Sequence, residues 1–172
     1  MQKTPFDLPD EARLWAYVAD RSLSEREQEK LLDKLCAFFE DWTTHGRPVR
    51  GEATLLDDRL LLVGGMAQGE GISGCGIDAS VNVVEEAGAE AGVSWISPLT
   101  VVYRDDEGRV QTASRPAFRE LAEAGRVTGA TPVFDLSVDT VGALRQGALE
   151  RPAADAWHAR AFDLADAAVE LG

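Results

Sequence analysis

The sequence predicts an α+β fold with a mostly antiparallel sheet, and three observations carry that prediction. Two pairs of apolar runs flank turn residues, Asp57-Asp58 and Asp106-Glu107-Gly108, and two hairpins demand antiparallel strands. Ser24 and Glu27 form a capping box ahead of an apolar stripe, which marks a helix start. Through residue 104 the elements fall in the order β-α-β-β-α-β, a ferredoxin-like start to which the remaining residues add a C-terminal extension. At 172 residues, with no repeat and no low-complexity linker, the chain is expected to be a single domain, 1–172, large enough to bury a core.

The elements follow in order. Residues 12–19 alternate Leu14, Ala16 and Val18 with Trp15 and Tyr17, the period of a strand. The helix after Ser24 carries Leu31, Leu35, Phe38 and Trp42 at helical spacing, with Leu32 and Phe39 alongside; Gly46 and Pro48 are expected to stop it. Cys36 falls beside the stripe and is expected to be a small core residue. Residues 49–56 and 59–65 make the first hairpin. A Gly-rich loop at 64–76 leads to a helix from about Asp78 to Ala91, with Val81, Val84, Gly88 and Ala91 on one face. Residues 99–104 and 109–114 make the second hairpin, with Gly108 supplying the left-handed turn position. Pro116 opens a short helix to about Ala124. A strand at 132–138 and a short helix at 139–146 come next. Pro152 punctuates the chain, and 153–171 read as a final helix with Trp157, Ala161, Leu164, Ala168 and Leu171 along one face.

Composition narrows the classes of function. The net charge is -13, from 30 acidic and 17 basic residues. That argues against nucleic acid and against an anionic membrane surface, which both require a basic face. The densest apolar run, Leu60 to Ala67, is too short to span a bilayer, and the first fifteen residues have no apolar core of the signal-peptide kind. A cytoplasmic protein is expected. Two cysteines and two histidines form no zinc pattern, and no carboxylate run has calcium-loop spacing. No metal and no cofactor are therefore expected.

The motif that draws chemistry is GISGCGIDAS, residues 71–80. Its glycines let backbone approach a ligand. Asp78 is expected as the helix cap, with Cys75 just ahead of the free N–H groups. Those groups favour an anion, either a thiolate or a bound phosphate or carboxylate, while the Asp78 carboxylate works against a second negative charge. The expected ligand-binding residues are Ser73, Gly74, Gly76, Asp78 and Ser80, and the partner is a small anionic ligand or a protein. One alternative is a thiol-dependent enzyme with Cys75 as nucleophile and His158 as base. His158 itself is expected to be exposed beside a buried Trp157. A second alternative is a purely structural interaction protein. No G-x-x-x-x-G-K-[ST] loop is present, so a P-loop nucleotide site is unsupported.

Three stretches, LPDEARLWAYVADRSLS at 8–24, GCGIDASV at 74–81 and DAWHARAF at 155–162, resemble an uncharacterised bacterial family of about this length. The resemblance runs over nearly all the chain up to the third stretch. The family commonly reads Gly-Cys-Ser-Ile-Asp where this chain has Gly76 in place of the serine. Such sequences are sometimes labelled ABC transporter ATPases, a label the missing P-loop contradicts physically. The resemblance implies no mechanism.

Overall fold

The computed structural model describes residues 6–69 and 71–164. They form helices and two four-stranded antiparallel sheets, an α+β fold. The chain divides into two compact units, Met1–Ile96 with Val138–Gln146, and Ser97–Ser137 with Gly147–Gly172.

The first unit opens with β1 (Arg13–Val18), followed by α1 (Glu25–Asp41). The Ser24–Glu27 capping box is formed in both directions. Arg21 closes a bidentate pair on Glu27, at 2.6 and 3.0 Å, and also reaches the carbonyls of Ala91 and Gly92. Glu27 is held well below its usual range, to about 2, first by Arg21 and then by the Ser24 backbone. After α1 come β2 (Thr43–Thr44), β3 (Arg47–Leu56) and β4 (Leu60–Ala67). The sheet order is β1-β4-β3-β2. Asp57 and Asp58 both take positive φ, as a two-residue hairpin turn requires. In the ferredoxin-like plan the strand following α2 (Gly74–Ala91) joins the first sheet. Here the next strand pairs in the other sheet, so that order is not the one formed.

The core of this unit follows from register. Leu61 lies opposite Tyr17 and Leu55, and Val63 opposite Trp15 and Ala53, so these residues share one sheet face. Leu31 and Leu35 of α1 and Val84, Ala87 and Ala91 of α2 pack onto it. Each such aliphatic side chain contributes about 1.5–3 kcal/mol by leaving water. The aromatic end of α1 lies flat on the same face because two strand positions carry no Cβ. One added at Gly65 would stand 2.6 Å from Trp42, and one at Gly51 2.4 Å from Phe39. On the opposite face Gly64 admits Leu8 and Phe6. Late in the chain, α4 (Val141–Arg145) completes this unit. Its approach segment donates to and accepts from Asp10, Ala12 and Leu14, and Arg145 pairs with Asp10 and reaches the carbonyls of Phe6 and Leu8.

The second unit holds β5 (Val101–Arg104), β6 (Val110–Ala113), α3 (Arg115–Glu123), β7 (Pro132–Phe134), β8 (Glu150–Pro152) and α5 (His158–Ala161), with sheet order β6-β5-β7-β8. Gly108 takes positive φ in the β5–β6 turn as expected. Arg104 pairs with Glu150 through two bonds, at 2.6 and 3.0 Å, and lies over the Phe134 ring. Phe118 centres an aromatic cluster with Tyr103 and Phe162.

Several expectations change. Cys36 is exposed: the buried stripe narrows to Leu31 and Leu35 and turns away from it. The helix ends at Asp41 before reaching Gly46, because Trp42 turns extended to seat its ring. The strand expected at 132–138 stops at Phe134, where the Asp135 carboxylate accepts from the Ser137 amide and turns the chain. The final helix expected over 153–171 is broken. Ala153 and Ala154 donate to the carbonyls of Thr131 and Gly129, which pulls the chain into a 3₁₀ turn, and Ala156 is extended. The expected Ala168 and Leu171 lie outside the described residues. The expected burial at 157–158 is reversed: Trp157 is 40% exposed and His158 fully buried.

No described helix is long and apolar enough to cross a membrane. No group of three His, Cys, Asp or Glu side chains among the described residues could hold a metal ion.

Candidate functional site

The site is built where the end of α1 meets the start of α2. Trp42 packs against Phe38, Phe39 and Trp15, with ring centroids 5.3 to 6.3 Å apart. Its indole N–H donates to the Gly76 carbonyl at 3.0 Å. The chain then runs through β2 into a tight turn at His45 and Gly46, both with positive φ, and back along β3. Thr44 sits inward and accepts from the Ser73 amide at 2.8 Å. Ser73 is itself the cap of α2: its hydroxyl accepts from the Gly76 amide and its carbonyl from the Ile77 amide. The cap is thus Ser73 rather than Asp78, and α2 begins at Gly74. Cys75 lies inside the first turn of the helix, not ahead of it. The reason is local: serine caps as well as aspartate does, and the Thr44 bond fixes Ser73 in extended backbone.

Between these walls lies a concavity of about 750 Å³, bordered by Phe38, Trp42, Thr43 and His45 on one side and by Ser73 to Gly76 on the other. That volume is within the range of small-ligand sites. Gly74 faces open space, with nothing among the described residues within 4 Å of where a Cβ would lie. An α-helix leaves its first four amides without intrahelical acceptors. Of these, the Ser73 amide donates to Thr44 and the Gly76 amide to the Ser73 hydroxyl, which leaves those of Gly74 and Cys75 at the helix end. Cys75 is exposed. Asp41 and Ala79 complete the rim.

A scan against protein-family models, a search of the curated proteins and a search of the solved structures found no match for this chain.

Of the residues expected from sequence, Ser73, Gly74, Cys75 and Gly76 come together on this concavity. Asp78 is exposed on the next turn and is not among its lining residues. Ser80 is buried and donates its hydroxyl to the Ile77 carbonyl at 2.7 Å, which directs it into the fold. His158 belongs to the second unit. Its ring stacks on Trp157 at 3.8 Å and lies among Phe118 and Phe162. Neither ring nitrogen has a partner among the described residues, and burial lowers the imidazole to about 4, with the Arg115 charge acting in the same direction and Asp135 against it. The histidine that borders the Cys75 concavity is His45. Sequence reasoning passed over it by taking Gly46 as a helix stop. The signal was present: a residue tolerant of left-handed backbone, followed by glycine, between Thr43-Thr44 and Arg47-Pro48-Val49 reads as a two-residue hairpin turn.

Proposed function

We propose that the protein is a non-enzymatic cytoplasmic module that binds a small anionic ligand at the N-terminal end of α2. One observation carries this reading: the uncovered Gly74 end of α2 opens into a concavity of about 750 Å³ walled by Trp42, Thr43 and His45. The outward amides and the helix dipole favour a carboxylate or phosphate oxygen. The Trp42 and Phe38 rings supply an apolar wall, and His45 supplies a further donor. Two exposed free thiols suit a reducing compartment.

The test uses one position in two ways. Proline is tolerated at the first helical residue but has no N–H, and Ser73 already has the extended backbone that a following proline requires. Gly74→Pro therefore removes a donor while keeping the helix, and Gly74→Ala keeps the donor in open space. Pyrophosphate titrated into the protein is expected to shift the Gly74 and Cys75 amide resonances saturably. Binding should persist in Gly74→Ala and weaken about tenfold in Gly74→Pro, the scale of one charge-assisted hydrogen bond. Equal binding by the two variants, or no saturable shift at millimolar pyrophosphate, sinks the reading.

A thiol-dependent reading has one observation of its own: Cys75 and His45 border the same concavity. Cys36, equally exposed, is an internal control. If Cys75 is an activated nucleophile, iodoacetamide alkylates it much faster than Cys36 at neutral pH. Equal rates leave the binding module alone.

A further inference from the structure

A second groove of about 600 Å³ lies in the first unit and shares no lining residue with the α2 concavity. Its apolar surface comes from Met66 and the prolines Pro9 and Pro48, since Leu8 and Val49, which also border it, are almost wholly buried, and Arg47, Arg50 and Gln68 supply its polar groups. No acidic side chain among the described residues lines it, although the chain carries 30 acidic residues against 17 basic. The two guanidiniums are lightly engaged. Arg47 donates one N–H to the Gln68 carbonyl at 3.3 Å and has no carboxylate partner among the described residues. Arg50 reaches Glu52 at 3.3 Å with its side chain 63% exposed.

We infer that this groove binds a small unbranched alkyl carboxylate, its carboxylate on Arg47 and Arg50 and its chain along Met66 and the two prolines. A guanidinium fork matches a planar carboxylate in two parallel bonds. An alkyl chain dries the apolar wall, and methionine adapts its shape to the chain it meets. Charge complementarity selects the head group: a neutral alcohol fills the same wall and leaves the Arg47 guanidinium without an anion. The volume suits a ligand of this size rather than a folded partner.

The probes are butanoate, octanoate and octanol, followed by amide chemical shifts of the intact chain. Octanoate is expected to shift Arg47, Val49 and Met66 saturably and to leave Gly74 and Cys75 in place, which separates this site from the proposed anion site on α2. Affinity should rise about two- to fourfold per added methylene, and octanol should bind about tenfold more weakly than octanoate. Arg47→Ala, at an exposed position, should weaken octanoate about tenfold and leave octanol unchanged. Equal binding of octanol and octanoate, shifts that map elsewhere, or no saturation by octanoate overturns the inference.

Discussion

The indole N–H of Trp42 donates to the carbonyl of Gly76 at 3.0 Å, and this buried bond joins the end of α1 to the first turn of α2. It holds the two walls of the candidate site together. Trp42→Phe keeps most of the ring packing and removes the donor. The denaturation midpoint should fall by an amount corresponding to about 1–3 kcal/mol, and the Gly74 and Cys75 amide resonances should move. A variant as stable as the parent, with those resonances unmoved, would show that the bond does not organise the site.

Two glycines beneath aromatic rings should respond unequally to an added methyl. At Gly65 the obstacle is Trp42, 3% exposed and tied by its hydrogen bond. At Gly51 it is Phe39, which is half-buried and held by ring contacts to Phe38 and Trp42 without a hydrogen bond. Gly65→Ala is expected to cost about 1–3 kcal/mol through overpacking. Gly51→Ala should cost less, because ring movement relieves the contact and alanine suits a strand better than glycine. Urea titration of both variants checks the order.

The buried imidazole of His158 sets a pH dependence. Its pKa is lowered to about 4 by burial, whereas the unfolded chain binds the proton near the ordinary 6.5. Between these values the unfolded state carries more protons, so stability rises with pH there. The contribution is fully favourable above about 6.5, is lost progressively as pH falls, and levels off below about 4. His158→Phe removes the titration and two unpartnered nitrogens, and should flatten this segment of the profile. A parent profile already flat between 6.5 and 4 would rule out the effect.

Both thiols should titrate in the native state without denaturant, because Cys36 and Cys75 are free and exposed. Thiol counting with an aromatic disulfide reagent should find two per chain. One slow thiol identified as Cys36 would contradict its place on the outside of α1.

Local chemistry was the legible part of this sequence. The Ser24–Glu27 box, the Asp57-Asp58 turn and the Gly108 turn each form where expected, because neighbouring residues decide them. Partnering between distant segments was not legible. Nothing local says that Thr44 fixes Ser73 as the cap in place of Asp78, or that the strand after α2 pairs away from the first sheet. The same limit explains Trp157 and His158. Helical periodicity assigned the tryptophan to the core, but backbone bonds from Ala153 and Ala154 to residues near 130 broke the helix and reset its phase.

The late return of residues 138–146 to the first unit has a consequence for the order of synthesis. Leu14 donates to Asp139, Val141 and Gly142 donate to Ala12 and Asp10, and Arg145 anchors the carbonyls of Phe6 and Leu8. A nascent chain that has emerged only as far as Ile96 has every strand of its first sheet but none of these fastenings. The amino-terminal segment must wait for some fifty more residues before it can be secured. A truncation at residue 96 would remain in that waiting state permanently, whereas joining 138–146 directly behind Ile96 by a short linker would supply the missing clasp without the intervening strands.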